Sequence, residues 1–160
     1  MTTEERISFL VKELGLLPHP EGGFYSETFR AGEILKTQNG DRNLMTSIYF
    51  LLRSEDVSHF HRIQSDELWF WHEGSSLTIH LLTEKGHEKR YLGPSSSVSK
   101  PQQLVQAKTI FGSTVDDPNQ YALVSCVVAP GFDFRDFELF SYEDLISSFP
   151  KEALIIRKLT

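Results

Sequence analysis

The chain has 160 residues, of which 39% are hydrophobic and 24% are charged, and its formal net charge is −6. This length suits a single domain, residues 1–160, that buries its own core, and no apolar run is long enough to cross a bilayer. The acidic balance, without any cluster of Lys and Arg, excludes the positive footprint that binds a phosphate backbone, so we expect no nucleic-acid partner and no membrane partner.

The first residues and the cysteine content bear on the compartment. Met1 to Arg6 is polar and acidic, and lacks the basic start and apolar stretch of a secretory signal. The one cysteine, Cys126, cannot form an internal disulfide, and its apolar neighbours predict a small buried side chain. We therefore expect a cytoplasmic protein.

A helix is predicted at the N-terminus. Thr2 and Glu5 have capping-box spacing, and Gly15 stands where a left-handed terminal residue belongs. Between them, four apolar residues follow the helical spacing i, i+3, i+4 and i+7: Ile7, Leu10, Val11 and Leu14. The helix is expected over about residues 3–14. The two prolines and two glycines between Leu16 and Gly23 predict a loop.

From Phe24 onward the chain consists of short segments rich in aromatic and β-branched residues, separated by turn signals such as Asn39-Gly40. These predict roughly eight strands in a sandwich, jelly roll or barrel over about residues 22–140. The predicted strands are 24–30, 43–52, 57–63, 67–72, 76–82, 87–92, 103–111 and 121–129. Ser141 as a cap and Pro150 at a helix start predict short C-terminal helices over about residues 141–159.

The segment from Ser58 to Gly74 carries the candidate chemistry. Alternate strand residues share a face, so His59 and His61 are expected to point the same way. After a turn, a returning strand brings Glu67 near both imidazoles, with Asp66 competing for that place. Two histidines and a carboxylate converging in this way can bind a divalent metal and leave positions open for substrate.

This spacing resembles the first cupin motif, in which two histidines separated by one residue are followed by a glutamate and, seven positions later, a glycine, here Glu67 and Gly74. The resemblance implies an all-β fold, the cupin double-stranded β-helix or jelly-roll barrel, with an N-terminal helix and short C-terminal helices. The second cupin motif would fall on Val105 to Gly112, and its usual residues are replaced there by three others: Gln106, Lys108 and Phe111.

Three longer segments resemble the cupin subfamily DUF985, or cupin 5, often labelled as predicted sugar epimerases: LGLLPHPEGGFYSETFR, SHFHRIQSDELWFWHEG and YALVSCVVAPGFDFRDFE. The likeness to deoxysugar epimerases implies that His61 is a general base, that Asp136 or Glu67 orients it, and that Glu27 contacts a nucleotide-sugar. It also implies a homodimer. Two positions depart from the epimerases: Gly22 replaces an arginine and Ser125 falls near the expected tyrosine.

The leading hypothesis is a cupin that binds a small polar molecule, such as a sugar or nucleotide-sugar, and acts as an epimerase or isomerase. Candidates for the general acid are Tyr25, Tyr49 and Tyr121. The expected substrate-binding residues are Tyr25, Glu27, Arg30, His59 and Trp69. One alternative is an oxygenase or hydrolase that uses iron, manganese, zinc or nickel, with His59, His61 and Glu67 as ligands. Another is a non-catalytic ligand-binding cupin.

Overall fold

The computed structural model describes residues 1–160 and begins with helix α1, Thr3–Glu13. The predicted capping box is present, since the Glu5 backbone N–H donates to the Thr2 hydroxyl and the Thr2 backbone N–H donates to the Glu5 carboxylate. Ile7 and Leu10 form the buried face of α1 and pack against Leu51 on the outer face of a sheet. No helix is long and apolar enough to span a membrane.

Thirteen strands follow in antiparallel pairs. Their bounds are β1 (Leu17–Pro18), β2 (Phe24–Arg30), β3 (Ile34–Thr37), β4 (Gly40–Asn43), β5 (Thr46–Arg53), β6 (Val57–Arg62), β7 (Asp66–Gly74), β8 (Leu77–Thr83), β9 (Gly86–Leu92), β10 (Gln102–Val105), β11 (Ile110–Val115), β12 (Tyr121–Ala129) and β13 (Glu138–Leu139). The predicted all-β class is therefore confirmed, and seven of the eight predicted strands correspond to single observed strands.

Two sheets pack face to face as a jelly-roll barrel. The larger sheet has the strand order β1-β2-β5-β12-β7-β10, and the smaller has the order β13-β6-β11-β8-β9. Phe50 and Trp69 from the larger sheet meet Ile79 and Phe111 from the smaller one in the main core. Because β6 and β7 belong to opposite sheets, the turn between them carries His61 and Glu67 to opposite walls of the barrel.

The structure contains two short strands that were not predicted, β1 in the expected loop and β13 after the last predicted strand, and it differs from the prediction in two further places. The segment expected as one strand, 103–111, is split into β10 and β11 in different sheets, because the chain turns between them with Lys108 in the left-handed region at φ 66°. The Asn39-Gly40 turn, expected only to separate two strands, joins β3 and β4 in a two-stranded hairpin that was not predicted, with Gly40 at φ 104°.

The predicted C-terminal helices are present as α2 (Tyr142–Ile146) and α3 (Ala153–Lys158). Ser141 caps α2, and Pro150 opens a 3-10 turn that leads into α3. Leu145 and Ile156 bury themselves against Phe60 on the outer face of the smaller sheet. The helices therefore cover the outside of the barrel and leave its interior cavity unobstructed.

Candidate functional site

A cavity of about 270 Å³ opens at one end of the barrel between the two sheets. One part of its lining is aromatic or aliphatic, and includes Phe132, Phe134 and Phe137 from the segment after β12. The other part is polar and carries six His, Glu and Arg side chains: His19, Glu21, Glu27, Arg30, His61 and Glu67. A mainly apolar cavity with a few converging polar groups is the usual form of a small-molecule site.

Glu21 is the central charged residue of the cavity floor, although nothing in the sequence singled it out. It is only 6% exposed, and its Oε2 atom lies 2.7 Å from Nε2 of His61 and 3.0 Å from the hydroxyl of Ser58. Its Oε1 atom lies 3.6 Å from Nδ1 of His19. Burial by itself raises the pKa of Glu21, but His61 outweighs burial and holds this pKa below its usual range.

His61 is held by hydrogen bonds at both ring nitrogens. Nδ1 lies 2.7 Å from the backbone carbonyl oxygen of His59, which can only accept, and Nε2 faces the Glu21 carboxylate. Two acceptors require two N–H donors, so the ring is an imidazolium paired with Glu21. Burial alone lowers the pKa of His61, but the charge and hydrogen bond of Glu21 leave it above its usual value. The predicted placement of His61 in the cavity is therefore met.

Glu67 faces His61 across the cavity from the opposite sheet. The indole Nε1 of Trp69 donates a hydrogen bond of 2.7 Å to Oε2 of Glu67. Burial, and secondarily the negative charge of Glu21, raise the pKa of Glu67 to about 7. Its Oε1 atom has no hydrogen-bond partner within the chain. Ser113 Oγ is the only fully enclosed side-chain polar atom that lacks a partner, so Oε1 of Glu67 is not fully enclosed. Oε1 is therefore open to the cavity.

His59 does not share the cavity with His61. The pairing of β6 with β11 changes register between Phe111 and Ser113, so the simple alternation along β6 is interrupted. Ser58 and His61 consequently reach Glu21, whereas Nδ1 of His59 donates to the backbone oxygen of Glu21 at 2.7 Å. His59 is not a lining residue, and its role is to hold the loop that carries Glu21.

Two other predicted site residues also lie away from the cavity. Trp69 is 1% exposed within the main core, so it has no face for a sugar ring and acts on the site through Glu67. Asp136 makes a bidentate ion pair with Arg42, with both N···O distances 2.8 Å, and it is not a lining residue. Glu21, rather than Asp136, is the carboxylate that orients His61.

The predicted metal ligands are not assembled into a site. His59 is directed at the backbone of Glu21, and Nε2 of His61 is occupied by the Glu21 carboxylate, so neither imidazole offers a lone pair to a point shared with Glu67. No group of three or more His, Cys, Asp or Glu side chains is arranged to hold a metal ion. The donor set that this chain presents does not fit a bound divalent metal.

The mouth of the cavity contains the predicted residues Tyr25, Glu27 and Arg30. The guanidinium of Arg30 donates to the carboxylate of Glu27, to the side-chain oxygen of Asn43 and to the backbone oxygen of Phe132. Arg30 thereby ties β2 to the segment that carries the aromatic wall. Of the tyrosines considered as acids, Tyr25 lines the cavity, and Tyr121 instead donates to Glu73 near α1. Tyr49 is not a lining residue.

Cys126 is buried at 2% exposure, which confirms its prediction as a small core side chain, and one side of it borders the cavity. Burial raises the pKa of its thiol well above the usual range, so it stays protonated and unreactive. It supplies apolar surface to the site.

A barrel of this topology, with the His-x-His strand and the following glutamate at the interior end, defines a cupin. The chain belongs to the family Cupin_5 (DUF985) of the cupin superfamily, whose family model matches residues 8–140. The family membership predicted from the sequence is thereby confirmed.

Two solved structures and one further protein are similar to this chain over most of its length. Protein SO0799 from Shewanella oneidensis is 40% identical with a TM-score of 0.89, and the alignment covers 100% of this chain and 98% of that one. A hypothetical protein from Leishmania major is 36% identical with a TM-score of 0.88, covering 96% and 97% of the two chains. The uncharacterized protein YML079W of Saccharomyces cerevisiae is 29% identical over 152 residues, 84% of this chain and 75% of the yeast protein.

Proposed function

We propose that this chain binds a small polyhydroxylated carbonyl compound and moves a proton on the carbon next to the carbonyl group, as sugar isomerases and epimerases do. The observation that carries the proposal is Glu67, a buried carboxyl group with a pKa of about 7 and one oxygen open to the cavity. A general base works best when its pKa lies near the working pH, and few carboxyl groups reach that value without a dedicated environment.

The general base is better assigned to Glu67 than to His61. Both nitrogens of His61 are protonated and engaged, so this ring has no lone pair with which to take a proton from carbon. Oε1 of Glu67 has no partner within the chain, and the hydrogen bond from Trp69 to Oε2 fixes the plane of the carboxyl group. In the proposed step, Glu67 takes the proton from one carbon and returns it either to the same carbon or to the former carbonyl carbon. In the second case the proton of the adjacent hydroxyl group passes to the former carbonyl oxygen, so that a new carbonyl group forms beside the first.

The shape of the cavity supports a ligand the size of one sugar ring. Its volume of about 270 Å³ lies just below the range of about 300 to 1,000 Å³ that is common for ligand sites, so a small ligand is expected. The wall formed by Phe132, Phe134 and Phe137 suits the apolar C–H face of a sugar ring, while the hydroxyl groups face the polar floor. The nucleotide portion of a nucleotide-sugar would lie outside the cavity, beyond Arg30.

Solvent exchange tests the proposed reaction without knowledge of the natural product. The purified protein is incubated in D2O with dihydroxyacetone, D-xylose or D-fructose, and incorporation of deuterium at the carbon next to the carbonyl is followed by proton NMR. We expect exchange with at least one of these compounds, and we expect Glu67→Gln to slow it by at least about a hundredfold, because the amide cannot accept the proton.

Glu84→Gln is the matched control, since Glu84 lies exposed in the turn after β8, and this variant should exchange at the wild-type rate. If no compound exchanges, or if Glu67→Gln exchanges as fast as the wild type, the proposed reaction is refuted. Saturable binding of a sugar without exchange would instead support the non-catalytic ligand-binding cupin.

We also propose that the chain forms a homodimer through the edge of the larger sheet. β1 pairs only with Phe24 and Tyr25, so the outer edge of β2 beyond Tyr25 has no partner strand. Exposed apolar side chains lie on or near this edge, including Phe29 at 52% and Ile34 at 59% exposure. Light scattering after gel filtration should give twice the mass of 18.3 kDa, and Phe29→Lys should give the single-chain mass. A monomeric wild type would contradict this.

A further inference from the structure

His19 occupies a position in the cavity that the proposed function has not yet used. It lies just before the loop Pro20–Gly23, and its side chain is only 6% exposed. The ring packs edge-on against Tyr25, with centroids 4.5 Å apart, and also borders Phe50 and Phe137. Because His19 lines the cavity and is otherwise surrounded by aromatic rings, a ring nitrogen without a partner in the chain would face the cavity.

The backbone determines which nitrogen of His19 carries the proton. The backbone N–H of Glu21 donates to Nδ1 of His19 at 3.1 Å, and an atom that accepts a hydrogen bond holds a lone pair rather than a proton. The carboxylate of Glu21 stands 3.6 Å from the same nitrogen, too far for a hydrogen bond. The ring is therefore the neutral tautomer with its proton on Nε2.

The Nε2–H group of His19 has no acceptor within the chain. Ser113 Oγ is the only fully enclosed side-chain polar atom without a partner, so Nε2 of His19 is not fully enclosed. An N–H donor in a nearly buried side chain that is neither bonded nor enclosed faces the cavity. Oε1 of Glu67 is open in the same way, so the cavity presents a fixed donor and an acceptor from different walls.

We propose that Nε2–H of His19 binds the carbonyl oxygen of the ligand and stabilises the oxyanion that forms when Glu67 removes the neighbouring proton. The proposal rests on the proposed function. As the C–H bond breaks, its proton goes to Glu67 and its electron pair forms the C=C bond of an enediolate. The carbonyl π electrons move onto the oxygen, and the resulting oxyanion accepts a hydrogen bond from Nε2–H of His19. Return of the proton from Glu67 to carbon reverses these movements, so nothing is oxidised or reduced.

The loop around His19 is built to hold this donor in place. The His19 backbone N–H donates to the oxygen of Gly23 at 2.9 Å, and the Gly22 N–H donates to the oxygen of His19 at 3.0 Å. The Glu21 carbonyl accepts two hydrogen bonds of 2.7 Å from His59, one from its backbone and one from its ring. A donor that is fixed before the reaction needs no reorganisation as charge develops, which is the condition for effective oxyanion stabilisation.

The tautomer is tested first, in the free protein. Long-range proton–nitrogen NMR correlations at neutral pH distinguish the Nε2–H tautomer, the Nδ1–H tautomer and the imidazolium. We expect His19 to show the Nε2–H pattern. The Nδ1–H pattern, or a charged ring, would overturn the proposal, because no donor would then be directed at the ligand in the form that we infer.

Binding of glycolohydroxamate, a planar mimic of an enediolate, tests the donor without any turnover. By calorimetry, His19→Phe should raise the Kd about tenfold, because it keeps an aromatic ring but removes the Nε2–H donor, together with the Nδ1 acceptor of the Glu21 backbone N–H. His19→Gln should bind nearly as well as the wild type, because its side-chain amide restores an N–H near the same place. Equal binding by the wild type and His19→Phe, or no binding by the wild type, would overturn the role of His19.

Far-ultraviolet circular dichroism and urea unfolding show whether the His19 variants are folded. Both variants replace the same residue, so a difference in binding between His19→Phe and His19→Gln reports the side-chain donor and not merely the change in the loop.

The proposed reaction and the proposed role of His19 can be refuted separately. A wild type that binds glycolohydroxamate through His19 but exchanges no substrate proton would refute the proposed reaction and keep the donor. Exchange that depends on Glu67 and is unaffected by His19→Phe would refute the donor alone.

Discussion

The buried carboxyl of Glu67 makes the stability of the protein depend on pH in a way that one substitution should remove. Its pKa is about 7 in the folded chain against an ordinary value of 4.5. The unfolded chain therefore releases this proton first, so the folded state loses stability as the pH rises from about 4.5 to about 7. Glu67→Gln keeps an acceptor for Trp69 and carries no charge at any pH, so it lacks this loss.

The size of the effect follows from the same two values. At about 1.4 kcal/mol per pH unit, the interval between 4.5 and about 7 corresponds to about 3 kcal/mol. The free energy of unfolding of Glu67→Gln, minus that of the wild type, should thus rise by about 3 kcal/mol between about pH 4 and pH 8. Differences in packing between the two proteins that do not depend on pH cancel when the values at the two pH values are subtracted.

Urea unfolding followed by circular dichroism at a series of pH values measures the difference directly. Glu84→Gln, in an exposed turn, is the control and should follow the wild-type curve throughout. A difference between Glu67→Gln and wild type that stays constant across this range, or that changes in the opposite direction, would refute the assignment of Glu67 as a carboxyl group that is protonated at mildly acidic pH.

Three further substitutions test how the site is held. Glu21→Gln leaves the buried His61 without its counter-charge, and urea unfolding near pH 6 should show a loss of about 3 to 5 kcal/mol in the free energy of unfolding. The loss should be smaller at higher pH, where the His61 ring is neutral, and an unchanged stability would contradict the ion pair. Trp69→Phe removes the hydrogen bond to Glu67 and should cost about 1 to 3 kcal/mol at pH 8, more than at pH 5, whereas equal costs would argue against the bond. Gly22→Ala at φ 111° brings a Cβ to 2.0 Å from the backbone oxygen of Val57, so its melting temperature should fall far below that of Gly15→Ala, whose Cβ meets nothing within 4 Å; similar melting temperatures would contradict this packing.

Short-range patterns predicted the elements of the fold well. The capping box at Thr2, the alternation in the strands and the cap at Ser141 depend on residues a few positions apart, and each is present. Where such a pattern was interrupted by backbone geometry, prediction failed. Lys108 turns the chain within a segment that reads as one strand, and a register shift in β6 separates the faces of His59 and His61.

The motif also placed His61 and Glu67 in one cavity, because a cupin barrel brings the two strands of that motif to its interior end. The spacing of Glu67 and Trp69 indicates a shared strand face, and the structure shows that the two side chains form a hydrogen bond there. Glu21 left a weaker signal. It lies among prolines and glycines that predict only a loop, and two positive φ angles, at Gly22 and Gly23, lay that loop against β6.

The sequence by itself therefore determined the family, the positions of seven strands, and two of the three charged groups on the cavity floor (His61 and Glu67), since these follow from local periodicity and motif spacing. Tertiary structure alone decided which partners those groups have. Glu21 reaches Ser58 across 37 positions, and Arg42 takes Asp136 across 94. Protonation depends on burial and on such distant neighbours, and no local pattern encodes either. For this reason the proposal of Glu67 rather than His61 as the general base rests on the tertiary structure, which shows the partners of both side chains.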